Sequence, residues 1–171
     1  LVSGHPSILV LSPNRIEIAQ LKYYDDFAIG DVILYPGRYS VTEENILAIG
    51  KEWDPYPFHT DPEAAKESFY GGLVASTVHL FAISVKLNHT SEEPFAAIAS
   101  LGISDMRNLA PAYVGDTIKN QCTVLDKRLS KSKPGTGIVE IQCELINQKE
   151  DVLFTYVSTA LYMLRGSKNQ G

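Results

Sequence analysis

The apolar positions of this chain change period near Pro94, and that change divides the fold. Ahead of it the spacing is helical. Ile46, Leu47 and Ile49 recur behind Thr42, Glu43 and Glu44, which predicts a capped helix over about 43–52. Asp61-Pro62-Glu63 combines a capping residue, a proline at the first helical position and an acid in the first turn, so a short helix is expected through about Ser68. Between these two, Asp54–Phe58 carries two prolines and is expected as a fixed, irregular loop. The run Leu73–Leu87 is apolar on every side of a helical wheel and predicts a wrapped core helix, with Gly71-Gly72 ahead of it. At the helical rise it would be roughly 22 Å long, short of a membrane span.

Beyond Pro94 the period is two. Phe95–Leu109, Thr117–Leu129, Gly137–Asn147 and Val152–Leu164 alternate as strands, separated by Ala110–Asp116, Lys131–Thr136 and Gln148–Asp151. Their short connections favour an antiparallel meander with one face on the apolar helix. An earlier strand is expected over Val32–Val41, bulged or at an edge because Pro36-Gly37 interrupts it. Residues 1–22 show no sustained period and read as an N-terminal extension in which Arg15–Leu21 can pair as a strand. Residues 23–165 then form one α+β domain, a central helix wrapped by a sheet of about five strands, and 166–171 a flexible, frayed tail.

Composition narrows the class without naming a reaction. A chain of 171 residues, 44% hydrophobic and 20% charged, fits one globular domain. The net charge of −5 argues against a general nucleic-acid or anionic-membrane surface. Lys127, Arg128, Lys131 and Lys133 form the one basic cluster, read as a solvated hairpin tip or, alternatively, as an attractor for a phosphate-bearing ligand. Cys122 and Cys143 have no metal or redox spacing, and Cys143 falls in a core alternation with Val139, Ile141 and Leu145. Ile8–Leu11 is too short for a signal peptide and is followed by Pro13, so the chain reads as intracellular, in the cytoplasm.

The candidate chemistry lies around the proline loop. Asp54 and His59 offer a carboxylate and an imidazole close together in the chain, and such a pair can hold one water and move protons to and from it. Each residue has a plainer use: Asp54 as a turn cap, His59 as a hydrogen-bonded loop residue. A metal reading of Asp54, His59 and Asp61 ranks lower, because no further ligand pattern accompanies them. His79 sits among Val78, Leu80 and Phe81 and is expected in a hydrogen-bonded core role, while His5 and His89 carry no motif.

Three ordered blocks and two later ones carry a family resemblance. They are Tyr24-Asp25-Asp26-Phe27 with Gly30-Asp31, then Trp53-Asp54-Pro55 with Pro57-Phe58-His59 and Asp61, then Ala64-Ala65 through Gly71-Gly72-Leu73-Val74-Ala75-Ser76. Arg107, Leu109, Pro111, Gly115-Asp116-Thr117 and Asn147-Gln148 follow. Together they resemble the MaoC-like dehydratase family over about Tyr23 to Arg165. The resemblance implies a hot-dog fold and an enoyl-CoA hydratase type lyase of fatty acid metabolism, adding water (R)-specifically to trans-2-enoyl thioesters or removing it. It implies Asp54 and His59 as the catalytic pair and the backbone N–H near Ser76 as oxyanion donor, although some members have His-Gly where Ala75-Ser76 stands. It also suggests Ser84 as a water contact and Arg107 as a substrate contact; a helix back-bond and a structural salt bridge are their plainer readings. No metal and no separate cofactor are implied, since CoA enters with the substrate. The expected partners are an acyl-CoA or acyl-carrier-protein thioester and a second copy of the chain, with the ligand tunnel near the homodimer interface. A hot-dog thioesterase is an alternative, disfavoured because Leu73–Leu87 contains no Asp or Glu; a non-catalytic acyl-CoA-binding module is another.

Overall fold

Capping side chains set where the helices start. The computed structural model describes residues 8–12, 15–19 and 21–167. Thr42 accepts the Asn45 N–H at 3.2 Å and opens α1 (Glu43–Trp53). The short helix α2 (Pro57–Thr60) occupies part of the expected loop: Pro57 stands at its first turn, where a missing N–H costs no intrahelical bond, so only Asp54–Tyr56 stays irregular. Asp61 accepts the N–H groups of Glu63 and Ala64 at 2.9 and 3.1 Å and opens α3 (Pro62–Lys66), which ends before the expected Ser68. Ser76 accepts the His79 N–H at 3.3 Å and opens α4 (Thr77–Asn88). Leu73–Ala75, expected inside this helix, is non-helical instead: Val74 bridges to Tyr113, and Ala75 donates to the Ala112 carbonyl at 2.9 Å. The helix is therefore nearer to ~18 Å long.

The expected N-terminal extension contains strands of its own. β1 (Ile8–Ser12) and β2 (Arg15–Ala19) pair antiparallel as a separate two-stranded sheet. Residues 1–7, 13, 14, 20 and 168–171, which include His5 and most of the expected tail, lie outside the described residues. In the main sheet the strands are β3 (Val32–Leu34), β4 (Tyr39–Ser40), β5 (Ala97–Asn108), β6 (Thr117–Leu129), β7 (Thr136–Ile146) and β8 (Val152–Met163). Their order is β3-β6-β7-β8-β5, all antiparallel, with β4 also beside β6, so β3 and β4 share one lane broken at Pro36-Gly37. This sheet packed on α4 is a hot-dog fold. No helix among the described residues is long and apolar enough to cross a membrane.

The expected meander holds for β6, β7 and β8 only. β5 pairs with β8 at the far edge, and residues 109–116 carry the chain across the sheet end to β6. Leu109 and Ala110 both donate to the Leu153 carbonyl, at 2.9 and 3.2 Å. Asp116 accepts the Tyr113 N–H and the Gln148 side-chain amide, each at 2.9 Å, while Gln148 accepts the Thr117 N–H at 2.8 Å. Gly115 turns the chain with φ +92. Gly115-Asp116-Thr117 and Asn147-Gln148, distant in sequence, thus form one lock between two turns.

The core lies between α4 and the sheet, where Leu80, Ile83 and Leu87 join Ile118, Val124, Val139, Leu145 and Phe154. Cys122 and Cys143, far apart in sequence, are direct cross-strand partners with their sulfurs 2.9 Å apart. The hydrogen bond to Cys143 and burial hold the Cys122 thiol far above its usual range, so it stays protonated core filling. The other side of α4 is not wrapped by this chain. Val78 and Val85 are 45% and 40% exposed, with exposed Ala82 between them, because the sheet covers only one side. All of β5 is exposed, including Ile98, Leu101, Ile103 and Met106.

His79 is 1% exposed, with Nε2 3.0 Å from the Tyr39 hydroxyl. Burial, with a smaller contribution from nearby His59, lowers its pKa from 6.5 to about 4. The unfolded chain takes up this proton first, so stability is complete above the unfolded value and falls as the pH drops towards the folded one. Between pH 7 and pH 4.5 the loss is expected to be roughly 2–3 kcal/mol. Urea unfolding of wild type and His79→Gln checks this: the variant should lose that share of the pH dependence, and identical profiles would remove His79 as its source.

Candidate active site

The site is assembled where α1 hands over to α2. Asp54 ends α1, its N–H bonded to the Gly50 carbonyl at 3.0 Å, and its own carbonyl accepts the Tyr56 N–H at 2.8 Å. His59 lies in α2, its N–H bonded to the Tyr56 carbonyl at 2.8 Å. Pro55 and Pro57 restrict the backbone between them. Gly50 lets the two helices meet: a Cβ there would lie 2.4 Å from the His59 carbonyl oxygen and 2.9 Å from the His59 Cβ. The missing side chain is the seat of the histidine.

Two contacts fix the imidazole. Nδ1 is 2.6 Å from the Val74 carbonyl, which can only accept, so Nδ1 carries a proton and it is the Nε2 nitrogen that presents the lone pair in the neutral ring. The Val74 N–H in turn donates to the Phe58 carbonyl at 3.2 Å, and the Phe58 ring meets His59 edge-on at 4.5 Å. Nε2 points to Asp54 Oδ2 at 3.6 Å, too far for a direct hydrogen bond. The histidine is 6% exposed, whereas the Asp54 side chain is 29% exposed. Two acceptors converge, and one water can satisfy both with its two hydrogens.

His59 borders a cavity of about 240 Å³ whose wall includes Tyr70, Ala75, Thr77, Leu80, Asn108 and Leu109. Ser76 is buried between Ala75 and Thr77, and its N–H has no acceptor among the described residues. Ser84 is not on this wall: it is fully buried deeper in α4, where its hydroxyl meets the Tyr156 hydroxyl at 3.0 Å and accepts from Asn120 Nδ2 at 3.2 Å. Arg107 pairs with Thr155 in the sheet, but its exposed side chain makes no hydrogen bond or ion pair among the described residues. Its neighbour Asn108 faces the cavity instead, donating to Thr77 Oγ1 at 2.7 Å. The register of β5 slips between Ser104 and Arg107, where Asp105 has φ +50, and such a bulge re-aims the side chains beyond it.

Tyr70, Thr77 and Asn108 carry no motif, and only the position of Thr77 just after a capping serine hints at its place. Asp61, the third candidate metal ligand, caps α3. In the basic cluster, Lys127 donates to the carbonyls of Tyr24 and Phe27 at 3.0 and 2.5 Å, far along β6 from the cavity and in a structural role.

The chain matches the family model of the MaoC like domain over residues 26–144. It belongs to the MaoC-like domain family. This MaoC-like chain is 32% identical over 133 residues to the uncharacterized protein YdeM of Bacillus subtilis (strain 168), covering 76% of the chain and 91% of that protein. The crystal structure of a MaoC-like dehydratase from Rhodospirillum rubrum is 35% identical, with a TM-score of 0.79 over 85% of this chain and 99% of that one. The R-hydratase PhaJ1 from Pseudomonas aeruginosa, unliganded, is 19% identical with a TM-score of 0.67 over 90% of this chain and 96% of that one, a likeness of fold.

The Gly50 seat generates a direct expectation. Gly50→Ala should push α2 from α1 and lower stability by about 1–3 kcal/mol in urea unfolding. The His59 imidazole nitrogen resonances should shift as the Val74 bond is strained. Wild-type stability with unshifted resonances would show that the seat is not tight.

Proposed function

We propose that this MaoC-like protein catalyses the reversible (R)-specific hydration of trans-2-enoyl thioesters, acting on acyl-CoA. The observation that carries this reading is the convergence of His59 Nε2 and Asp54 Oδ2 at 3.6 Å, with Nδ1 tied to Val74. One water donates a hydrogen to each acceptor. As its oxygen bonds to C3 of the enoyl group, one O–H bond breaks and Nε2 takes the proton. The π electrons move towards the thioester oxygen, forming an enolate. Asp54 stabilises the resulting imidazolium, which then returns the proton to C2 and restores neutral His59. Hydroxyl and hydrogen enter from one face because one site delivers both, and dehydration runs the same steps backwards.

The enolate oxygen belongs at the start of α4, where the helix dipole is positive and the Ser76 N–H is available. CoA is part of the substrate, so the reaction calls on no separate cofactor, and a cytoplasmic place in acyl-thioester metabolism suits it. The likeness to the Rhodospirillum rubrum MaoC-like dehydratase and the family match support the reaction class.

A second copy of the chain completes the fold in this reading. The outward stripe of α4 and the open edge of β5 are apolar, and an edge of this length invites pairing. β5 ends at Asn108 on the cavity wall, so a homodimer formed there would place the ligand tunnel beside the interface.

Loss of the conjugated enoyl-thioester absorbance tests the chemistry. Asp54→Asn and His59→Ala are each expected to slow it by about 10²–10⁴-fold; wild-type rates in both would reject the pair, and release of free thiol would point to thioester hydrolysis. Light scattering tests the assembly: wild type should be a dimer and Ile103→Lys largely a monomer. A fully active wild-type monomer would rule out the interface.

A further inference from the structure

Thr77 and Asn108 stand out on the wall beside His59 because neither has been given work there. The wall is otherwise largely apolar, with Val74, Ala75, Leu80, Leu109, Ala110 and Pro111 contributing. Asn108 Nδ2 donates to Thr77 Oγ1 at 2.7 Å, joining the last residue of β5 to the first residue of α4. A hydroxyl has one hydrogen and two lone pairs. The amide occupies a lone pair, so the hydrogen must point elsewhere. Inside a helix a threonine commonly gives that hydrogen to a carbonyl three or four residues back. At the first position of α4 no earlier turn of the helix exists to receive it, and Thr77 Oγ1 donates to no acceptor among the described residues. The result is a hydroxyl with an uncommitted hydrogen at the positive end of a helix, on the wall of the cavity that His59 borders.

Resting on the hydration reading, we infer that the Thr77 hydroxyl is a side-chain oxyanion donor for the thioester oxygen, and that Asn108 is the positioning residue that holds it by its lone pair. As water adds to C3, charge gathers on the thioester oxygen and the hydrogen bond from Thr77 shortens. The hydrogen remains on threonine, and no bond is made or broken there. The Ser76 N–H supplies the second donor, so one backbone and one side-chain group share the developing charge.

Steady-state hydration kinetics with a short enoyl-CoA, on variants whose folding is checked by urea unfolding, tests this. Thr77→Val keeps the branched shape and removes the donor; kcat should fall about 100-fold with KM changed less than about threefold. Thr77→Ser should restore most of the rate. Asn108→Ala leaves the hydroxyl in place but loose, for a loss of about tenfold or less. Asn108→Asp cannot donate, so its carboxylate draws the Thr77 hydrogen to itself, and kcat should fall to the Thr77→Val level. The double variant Thr77→Val with Asn108→Asp should be no slower than either single change, since both remove one donor. Wild-type kcat in Thr77→Val, Asn108→Asp no worse than Asn108→Ala, or multiplicative losses in the double variant would each overturn the assignment. A wild-type enzyme that hydrates enoyl-CoA while Thr77→Val does so equally well rejects this inference alone. A wild type that hydrates no enoyl thioester rejects the underlying reaction as well.

Discussion

The hydrogen bond from the His79 N–H to the Ser76 hydroxyl is small, yet the site depends on it. By capping α4 there, Ser76 stops the helix from running back through Leu73–Ala75. In a helix begun at Leu73, the Val74 carbonyl would be spent on the N–H four residues ahead. Non-helical, it is free to accept the Nδ1–H of His59, and the backbone of Val74 and Ala75 pairs with Tyr113 and Ala112. One serine thus decides helix length, histidine tautomer and the seating of the chain that crosses from β5 to β6.

How much of this the residues disclose depends on whether the deciding interaction is local. Thr42 and Asp61 act within one turn, and both caps stand where the sequence puts them. Alternation likewise marks Thr117–Leu129 residue for residue. Pro57 misleads as a loop residue because a proline both breaks a helix and begins one, and its neighbours do not say which. The placement of β5 beside β8 is a long-range choice between open edges, invisible to periodicity. So are the Cys122–Cys143 contact and the approach of His59 to Gly50, which join segments with no shared pattern. Asp54 and His59 were readable as a pair; that Asn108 rather than Arg107 borders the cavity beside His59 was not, since a bulge at Asp105 resets the alternation.

Charge around His59 is arranged by subtraction as much as by addition. Asp54 offers a negative group at 3.6 Å, while His79, close enough to feel His59, is kept neutral by burial and bonded to Tyr39. A second imidazolium there would oppose proton uptake on His59. The polar cluster of Ser84, Tyr156 and Asn120 lies deeper, where hydroxyls and amide N–H groups bond to one another, while Asn120 Oδ1 has no partner among the described residues.

The crossing segment after β5 serves two masters. Ala110 and Pro111 form part of the cavity wall, while the next two residues grip the backbone of Val74 and Ala75. Evolution therefore has little freedom to reshape the cavity from that side, because any drift in the segment also moves the carbonyl that sets the histidine. Leu80 is also held in the core, whereas the half-buried Tyr70 side chain borders the cavity without bonding Val74 or Ala75. A change in what the cavity admits is therefore easier to build at Tyr70 than in the crossing segment.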